Sequence, residues 1–284
     1  MAKIDWAKLE QFDRRWIFLA MIFVVLIPLL FPLELPFRVQ DKVRKVYETI
    51  EALPDGSSVI FAAEYDPAGK PELEPFARAV LRQLFRKNAK IAVVTTWKFA
   101  PPLVESLWQD IGVKEFDKEY GKDWVFLGFK EGQDIAIAKM GENLRTFFPK
   151  DYKGTPIDDI PLMDGKKSLK DFPLMLIIGA GFPGPKEYVQ QVQGRYNLDI
   201  VTATTAVMVP DVAPYYDTGQ IKGLVAGMRG AAEYEKILGE PGLATAGLDA
   251  QNLAHVFIIL AIIFGNLIYF KTRKKGPRVA GSKA

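Results

Sequence analysis

The side chains able to do chemistry in this 284-residue chain gather where short apolar runs end. Glu64, Tyr65 and Asp66 follow the run Val59 to Ala63, and Thr95, Thr96 and Trp97 close the run that begins at Ile91. The string Gly179-Ala180-Gly181-Phe182-Pro183-Gly184 follows Leu174 to Ile178, and Thr202, Thr204 and Thr205 end the run from Ile200. If these runs are strands of one open parallel sheet, their last residues meet at its carboxyl edge, where such sheets bind ligands. Carboxylates, hydroxyls, an indole and backbone amides make up the inventory of a crevice for a small polar ligand. Glu64 and Asp66 have the types needed for acid and base work or for a hard cation, although their spacing is also that of an ordinary turn. The candidate ligand-binding set is Glu64, Asp66, Thr95, Thr96, Trp97, Gly179, Gly181, Gly184 and Thr204. No residue is assigned a catalytic or metal-binding role, and no cofactor is expected.

The glycine string matches G-x-G-x-x-G between a strand and a helix, the arrangement that cradles a pyrophosphate. Pro183 and Pro185 remove amide donors from it, and the next strand opens with Asp199 instead of ending in an acid for a ribose. A glycine-rich turn, with anion binding at the following helix N-terminus, therefore ranks above dinucleotide binding. Composition removes other chemistries. The chain has no cysteine and a single histidine, His255, inside an apolar stretch, which excludes disulfides, thiolate catalysis, a Ser-His-Asp triad and the usual zinc sites. Neither apolar stretch offers His255 the acidic partners of a proton relay.

The elements that must position these residues alternate along the chain. Strands are expected at Val59–Ala63, Ile91–Thr95, Trp124–Phe129, Leu174–Ile178 and Ile200–Ala203. Helices are expected at Pro71–Arg86, Pro101–Ile111, Asp134–Phe147 and Pro185–Gln193. Continuous apolar strands between amphipathic helices indicate an α/β fold, a Rossmann-like, mostly parallel sheet with flanking helices. Val39, Val43, Val46 and Ile50, spaced by three and four, mark an amphipathic linker helix within residues 34–56. The segment from Pro149 to Ser168 reads as an irregular excursion touching another subunit.

Gly219, Gly223, Gly227 and Ala231 recur every fourth residue in what reads as a helix from Gly219 to Leu238. Interior glycine costs about 0.5–1 kcal/mol relative to alanine, so a close backbone contact is expected there. Either that helix packs on its own sheet, or it meets another subunit or a ligand; with Tyr215 and Tyr216, on a loop before it, it supplies the candidate interface residues.

Uncharged apolar stretches stand at both ends, Trp16–Leu33 and Leu253–Phe270. Eighteen helical residues span about 27 Å, close to the thickness of a bilayer core. The expected organisation is a leader (1–15), a transmembrane helix (16–33), the linker helix (34–56), an α/β domain (57–249), a second transmembrane helix (250–270) and a basic tail (271–284). Lys3, Lys8, Arg14 and Arg15 precede the first stretch, and Lys271, Arg273, Lys274, Lys275, Arg278 and Lys283 follow the second. Both termini are therefore expected in the cytoplasm and the domain on the far side of the cell membrane, periplasmic or extracellular. The formal charge of +3 comes from these ends, and the mildly acidic middle argues against nucleic acid as a partner. The expected function is that of a structural or assembly protein, not an enzyme, whose domain self-associates or docks on a larger membrane complex. Two alternatives stand beside it: a small-ligand-binding or enzymatic domain using the crevice, and an accessory subunit of a transport or secretion machine.

Overall fold

Among the described residues, 13–272 of the computed structural model, the chain forms two compact units. One runs from Glu34 to Thr245, and the other joins the residues up to Leu33 with those from Ala246 onward. The leader and the tail lie almost wholly outside the described residues.

In the Glu34–Thr245 unit, strands β1 (Ser58–Glu64), β2 (Lys90–Thr95), β3 (Trp124–Phe129), β4 (Leu174–Gly179), β5 (Asp199–Thr204) and β6 (Gly223–Ala226) form one sheet, ordered β3-β2-β1-β4-β5-β6. Every neighbouring pair is parallel. This is the doubly wound order, in which the chain reverses its direction of travel between β1 and β4. The α/β, Rossmann-like expectation is met, and the five foreseen strands match to within a residue or two. Strand interiors are buried on both faces, which is why they read as unbroken apolar runs instead of alternating ones.

Before β1 comes α2 (Asp41–Glu51), after α1 of the other unit (Arg14–Leu30). Then follow α3 (Lys70–Arg86), α4 (Pro101–Trp108, running into a π-helical turn Gln109–Glu115), α5 (Gln133–Glu142), α6 (Pro185–Tyr188), α7 (Val209–Asp217), α8 (Gly227–Leu238) and α9 (Leu243–Thr272). Helices α2, α3, α4 and α8 cover one face, where Phe61 meets Trp108 edge-on and Phe76 meets Tyr234. The other face carries α5, α6 and the 149–172 segment over Ile60, Val94, Val125, Met175 and Ile177. Burying one such side chain contributes about 1.5–3 kcal/mol.

Several expectations are corrected. The linker helix is part of the domain, because Val43, Val46 and Ile50 are fully buried against it. The Pro149–Ser168 excursion also turns inward: Ile157, Ile160, Leu162 and Met163 join the core through short 3-10 turns. The glycine-row helix does not exist as one element. Gly219 (φ +79°) sits in a turn, Gly223 starts the edge strand β6, and Gly227 (φ +58°) opens α8, which carries Ala231 in its buried face. A four-residue period fits a helix, but β-branched Val225 and two glycines at positive φ break it here. Close packing does explain Gly223: a Cβ built there would lie 2.5 Å from the Val46 amide nitrogen, so glycine lets α2 rest on β6. Tyr215 and Tyr216 lie on α7, not on a loop, and pack partly buried against the core.

In the other unit, α9 is the one described helix long and apolar enough to cross a membrane. The expected first span is shorter than foreseen. Helix α1 has 17 residues, opens with Arg14 and Arg15 and stops at Leu30, because Pro32 disfavours helical geometry at Phe31. Its apolar part, Trp16 to Leu30, reaches roughly 22 Å. Leu33 is tied within this unit by its amide, which donates to Asp249 at 2.9 Å.

Replacing Gly223 with alanine is expected to destabilise the protein by about 1–3 kcal/mol, through overpacking of α2 on β6. Urea unfolding followed by circular dichroism measures it, with Gly194→Ala, where the backbone is helical and a Cβ meets nothing within 4 Å, as the control for glycine loss alone.

Candidate functional site

Parallel strands end together, so the loops after β1, β2, β4 and β5 converge beside the reversal point. At its centre is Glu64, the last residue of β1, with its side chain fully buried. The Thr96 amide donates to both carboxyl oxygens at 3.1 and 2.9 Å, and the Thr96 hydroxyl donates at 2.8 Å. Tyr188 of α6 donates its phenol in a very short bond, and Thr95 Oγ1 stands 3.5 Å away. Burial pushes the Glu64 carboxyl up from its usual 4.5 to about 7, against the pull of these donors, which favour the ionised form. Tyr188 is held well above the tyrosine range, first by its own burial and then by Glu64.

The neighbouring candidates bond to one another. Thr95 Oγ1 donates to the Ala63 carbonyl at 2.6 Å and accepts the Trp97 amide at 3.0 Å. The Trp97 indole N–H donates to the Pro183 carbonyl at 2.8 Å, and its ring lies over Gly181. Asp66 caps its own loop by accepting the amides of Ala68 and Gly69. Thr204 donates to the Gly179 carbonyl at 2.9 Å. A Cβ on Gly69 would stand 2.8 Å from that of Ala180, so the β1 and β4 loops touch where a ligand crevice would open.

The glycine string is a turn folded on itself. A Cβ on Gly179 would meet Pro185 Cδ at 2.6 Å, and one on Gly184 would meet the Gly181 carbonyl oxygen at 2.3 Å. The Gly184 amide donates to Glu187 of α6, so that helix end already holds a carboxylate where an anion was expected. The string also follows β4, whereas a dinucleotide fingerprint follows the first strand.

The structure thus brings Glu64, Thr95, Thr96, Trp97 and the Gly179–Gly184 turn together, with Thr204 joined to the start of that turn through the Gly179 carbonyl, while Asp66 acts within its own loop. Of the interface candidates, Gly219, Gly223, Gly227, Ala231, Tyr215 and Tyr216, none forms an open patch: Gly223 and Ala231 are buried, and Tyr215 accepts Gln190 Nε2 at 2.8 Å. Tyr188 was not foreseen, since one tyrosine in a predicted amphipathic helix carries no mark of a polar contact. Also unforeseen is a set of exposed apolar residues just past the strands: Phe99 and Phe182 in the loops after β2 and β4, Ile135 in the first turn of α5 after β3, and Val207 in a 3-10 turn after β5. Their signal is an apolar residue among glycines and prolines just past a strand.

Among the described residues no three carboxylate or histidine side chains come together as a metal-binding set. Compared with known proteins, the chain matches no protein-family model and no curated protein.

The folded protein binds the Glu64 proton more tightly than the unfolded chain does, so the stability this site contributes is complete below about pH 4.5 and is lost as pH rises through about 7. The full chain in detergent is expected to lose up to about 3 kcal/mol of unfolding free energy across that window, and Glu64→Gln is expected to remove that loss. Urea unfolding of both proteins at pH 5 and pH 8 measures the difference.

Proposed function

We propose that this chain is a membrane-tethered docking protein, whose α/β unit binds an apolar surface of a partner subunit through the carboxyl edge of its sheet. One observation carries the reading. Phe99 and Phe182 are each 57% exposed, Ile135 63% and Val207 83%, all on that edge, whereas beneath them Glu64 is bonded to Thr96 and Tyr188, and Trp97 to the Pro183 turn, with the buried Thr205 hydroxyl left without a partner. From the β3 to the β5 loop the row covers about 19 Å at ordinary strand spacing. The charges beside it balance: Lys98, Lys130 and Lys186 of one sign, Glu131, Asp134 and Asp211 of the other. A patch that is apolar, neutral and rigidly mounted is the surface protein partners bury.

The opposite edge is where the chain enters and leaves this unit. Helix α8 starts at the carboxyl end of β6 and finishes near the amino edge, where Glu240 pairs with Arg86 at the end of α3. Glu34, Leu35, Gly239 and Thr245 line one small cleft there. A domain held from one edge leaves the other free for a partner. This moves the expected contact surface away from the glycine row, of which Gly223, Gly227 and Ala231 are buried inside the unit and Gly219 makes a turn.

On this reading α9 anchors the chain, and α1, apolar on its exposed sides at Phe18, Ile22 and Leu26, makes the second crossing in a locally thinned bilayer. Both termini then face the cytoplasm, and the α/β unit faces the periplasm or the cell exterior. A second reading, a ligand-binding crevice, draws its support from Glu64, a buried carboxyl with a raised pKa at the reversal point. It requires Trp97 and the Gly179–Gly184 turn to part.

Changing Phe99 and Phe182 together to aspartate is expected to weaken the partner complex about tenfold or more, while changing stability by no more than about 0.5 kcal/mol. Light scattering of the detergent-extracted complex reads the first effect and thermal unfolding the second; an unchanged complex mass sinks the reading. In intact cells or spheroplasts, Lys122→Cys is expected to react with an impermeant thiol reagent and Ser282→Cys to stay unlabelled. The reverse pattern overturns the sidedness.

A further inference from the structure

A single buried carboxyl holds together the loops that carry Phe99 and Phe182. The Thr95–Thr96 segment reaches Glu64 from β2 and continues into Trp97, Lys98 and Phe99; Tyr188 reaches it from α6, which follows the turn carrying Phe182. The two segments meet again where the Trp97 indole N–H donates to the Pro183 carbonyl. We propose that Glu64 is a proton-operated latch: its charge state decides whether these two loops are held together over the reversal point or released. The bearing on docking rests on the reading above, but the latch itself does not.

The groups facing Glu64 make the two states different. From β2 it faces Thr95 and Thr96, and from α6 it faces Tyr188; Tyr188 is the one titratable group among them, and no cation takes part in setting the Glu64 charge. When Glu64 is ionised, the Thr96 amide, the Thr96 hydroxyl and the Tyr188 hydroxyl all donate to it. This is a complete set of bonds around an anion buried without a counter-ion, which is costly in a low-dielectric interior. When Glu64 is neutral, one of its oxygens carries a hydrogen that must be donated. The oxygens of Tyr188, Thr96 Oγ1 and, farther off, Thr95 Oγ1 have lone pairs to receive it, and at Tyr188 or Thr96 this reverses the direction of the bond. The neutral form removes the buried charge and closes the latch. Loss of the proton to solvent leaves an anion that is relieved by admitting water, and water reaches it by parting Trp97 from the Pro183 turn.

The test is the Trp97 indole N–H resonance of the full-length chain in detergent micelles, labelled with nitrogen-15 at tryptophan and assigned through Trp97→Phe. The indole shift is expected to titrate with a midpoint near pH 7, moving toward the water-exposed position at high pH. Glu64→Gln is expected to abolish that titration and keep the bonded shift throughout. Tyr188→Phe removes a bond that favours the ionised form, so its titration should persist with the midpoint moved upward. A wild-type shift that stays flat from pH 5 to pH 9, or an unchanged titration in Glu64→Gln, overturns the latch. Should Glu64→Gln fail to fold, the unmoved midpoint of Tyr188→Phe does so alone. No partner is present in this measurement, so its failure is distinct from failure of the docking proposal, which the aspartate variants test.

Discussion

Burial of a parallel sheet on both faces is the constraint from which the rest of this molecule follows. Such a sheet is covered by connections, here helices and the 149–172 segment, that return the chain to the same starting edge, so every strand is followed by a loop at the carboxyl edge and preceded by one at the amino edge. Functional groups after β1, β2, β4 and β5 therefore meet without being near in sequence. The reversal between β1 and β4 leaves a gap between helices at the centre of that edge. In many folds of this order a ligand fills the gap. Here the contact of Gly69 with Ala180 and the bond from Trp97 to Pro183 fill it with protein.

Filling the gap from within places a carboxyl out of reach of water, and the energetics of Glu64 follow from that placement. Three strong donors make an ionised carboxylate structurally welcome, while the absence of water makes its charge expensive, and the two effects nearly cancel close to neutral pH. Glu233 and Glu235 show the same principle resolved differently. Glu233 accepts the amide and side chain of Gln40 together with Arg229, and Glu235 accepts the amides of Gly242, Ala244 and Thr245 at the start of α9. Each buried acid takes over backbone amides that a strand or helix leaves unpaired.

The sheet was legible because fully buried strands write themselves as unbroken apolar runs, as in Val59–Ala63 and Leu174–Ile178, and α3 was legible from its apolar spacing; the helix expected at Asp134–Phe147 instead ends at Glu142, because Asn143 is extended and caps a separate turn, Leu144–Phe147. β6 was not legible: four residues with a glycine at one end and alanine at the other resemble a helical face as much as an edge strand. α7 was hidden by Pro210 and Pro214, although a proline in the first turn sacrifices no bond and the second gives up only one. At the carboxyl edge, residue types pointed to which side chains would meet, Glu64 among them, because strand ends are predictable. What they could not convey was satisfaction: whether Asp66 reaches a ligand or caps its own loop depends on two amides whose direction is set only by the folded turn. The apolar edge residues were overlooked for a related reason, since a phenylalanine in a loop reads as core until its neighbours are known to be elsewhere.

The entry and exit of the α/β unit lie side by side, and this has a mechanical meaning. Tension arriving through both ends is received at the end of α8 and by the strip from Glu34 to Gln40 that runs along it, where the Glu233 and Glu235 bonds and the Lys236–Phe37 contact clasp the chain. A pull would peel this clasp bond by bond before it shears any strand from its neighbour, so the carboxyl edge keeps its shape while its moorings are strained.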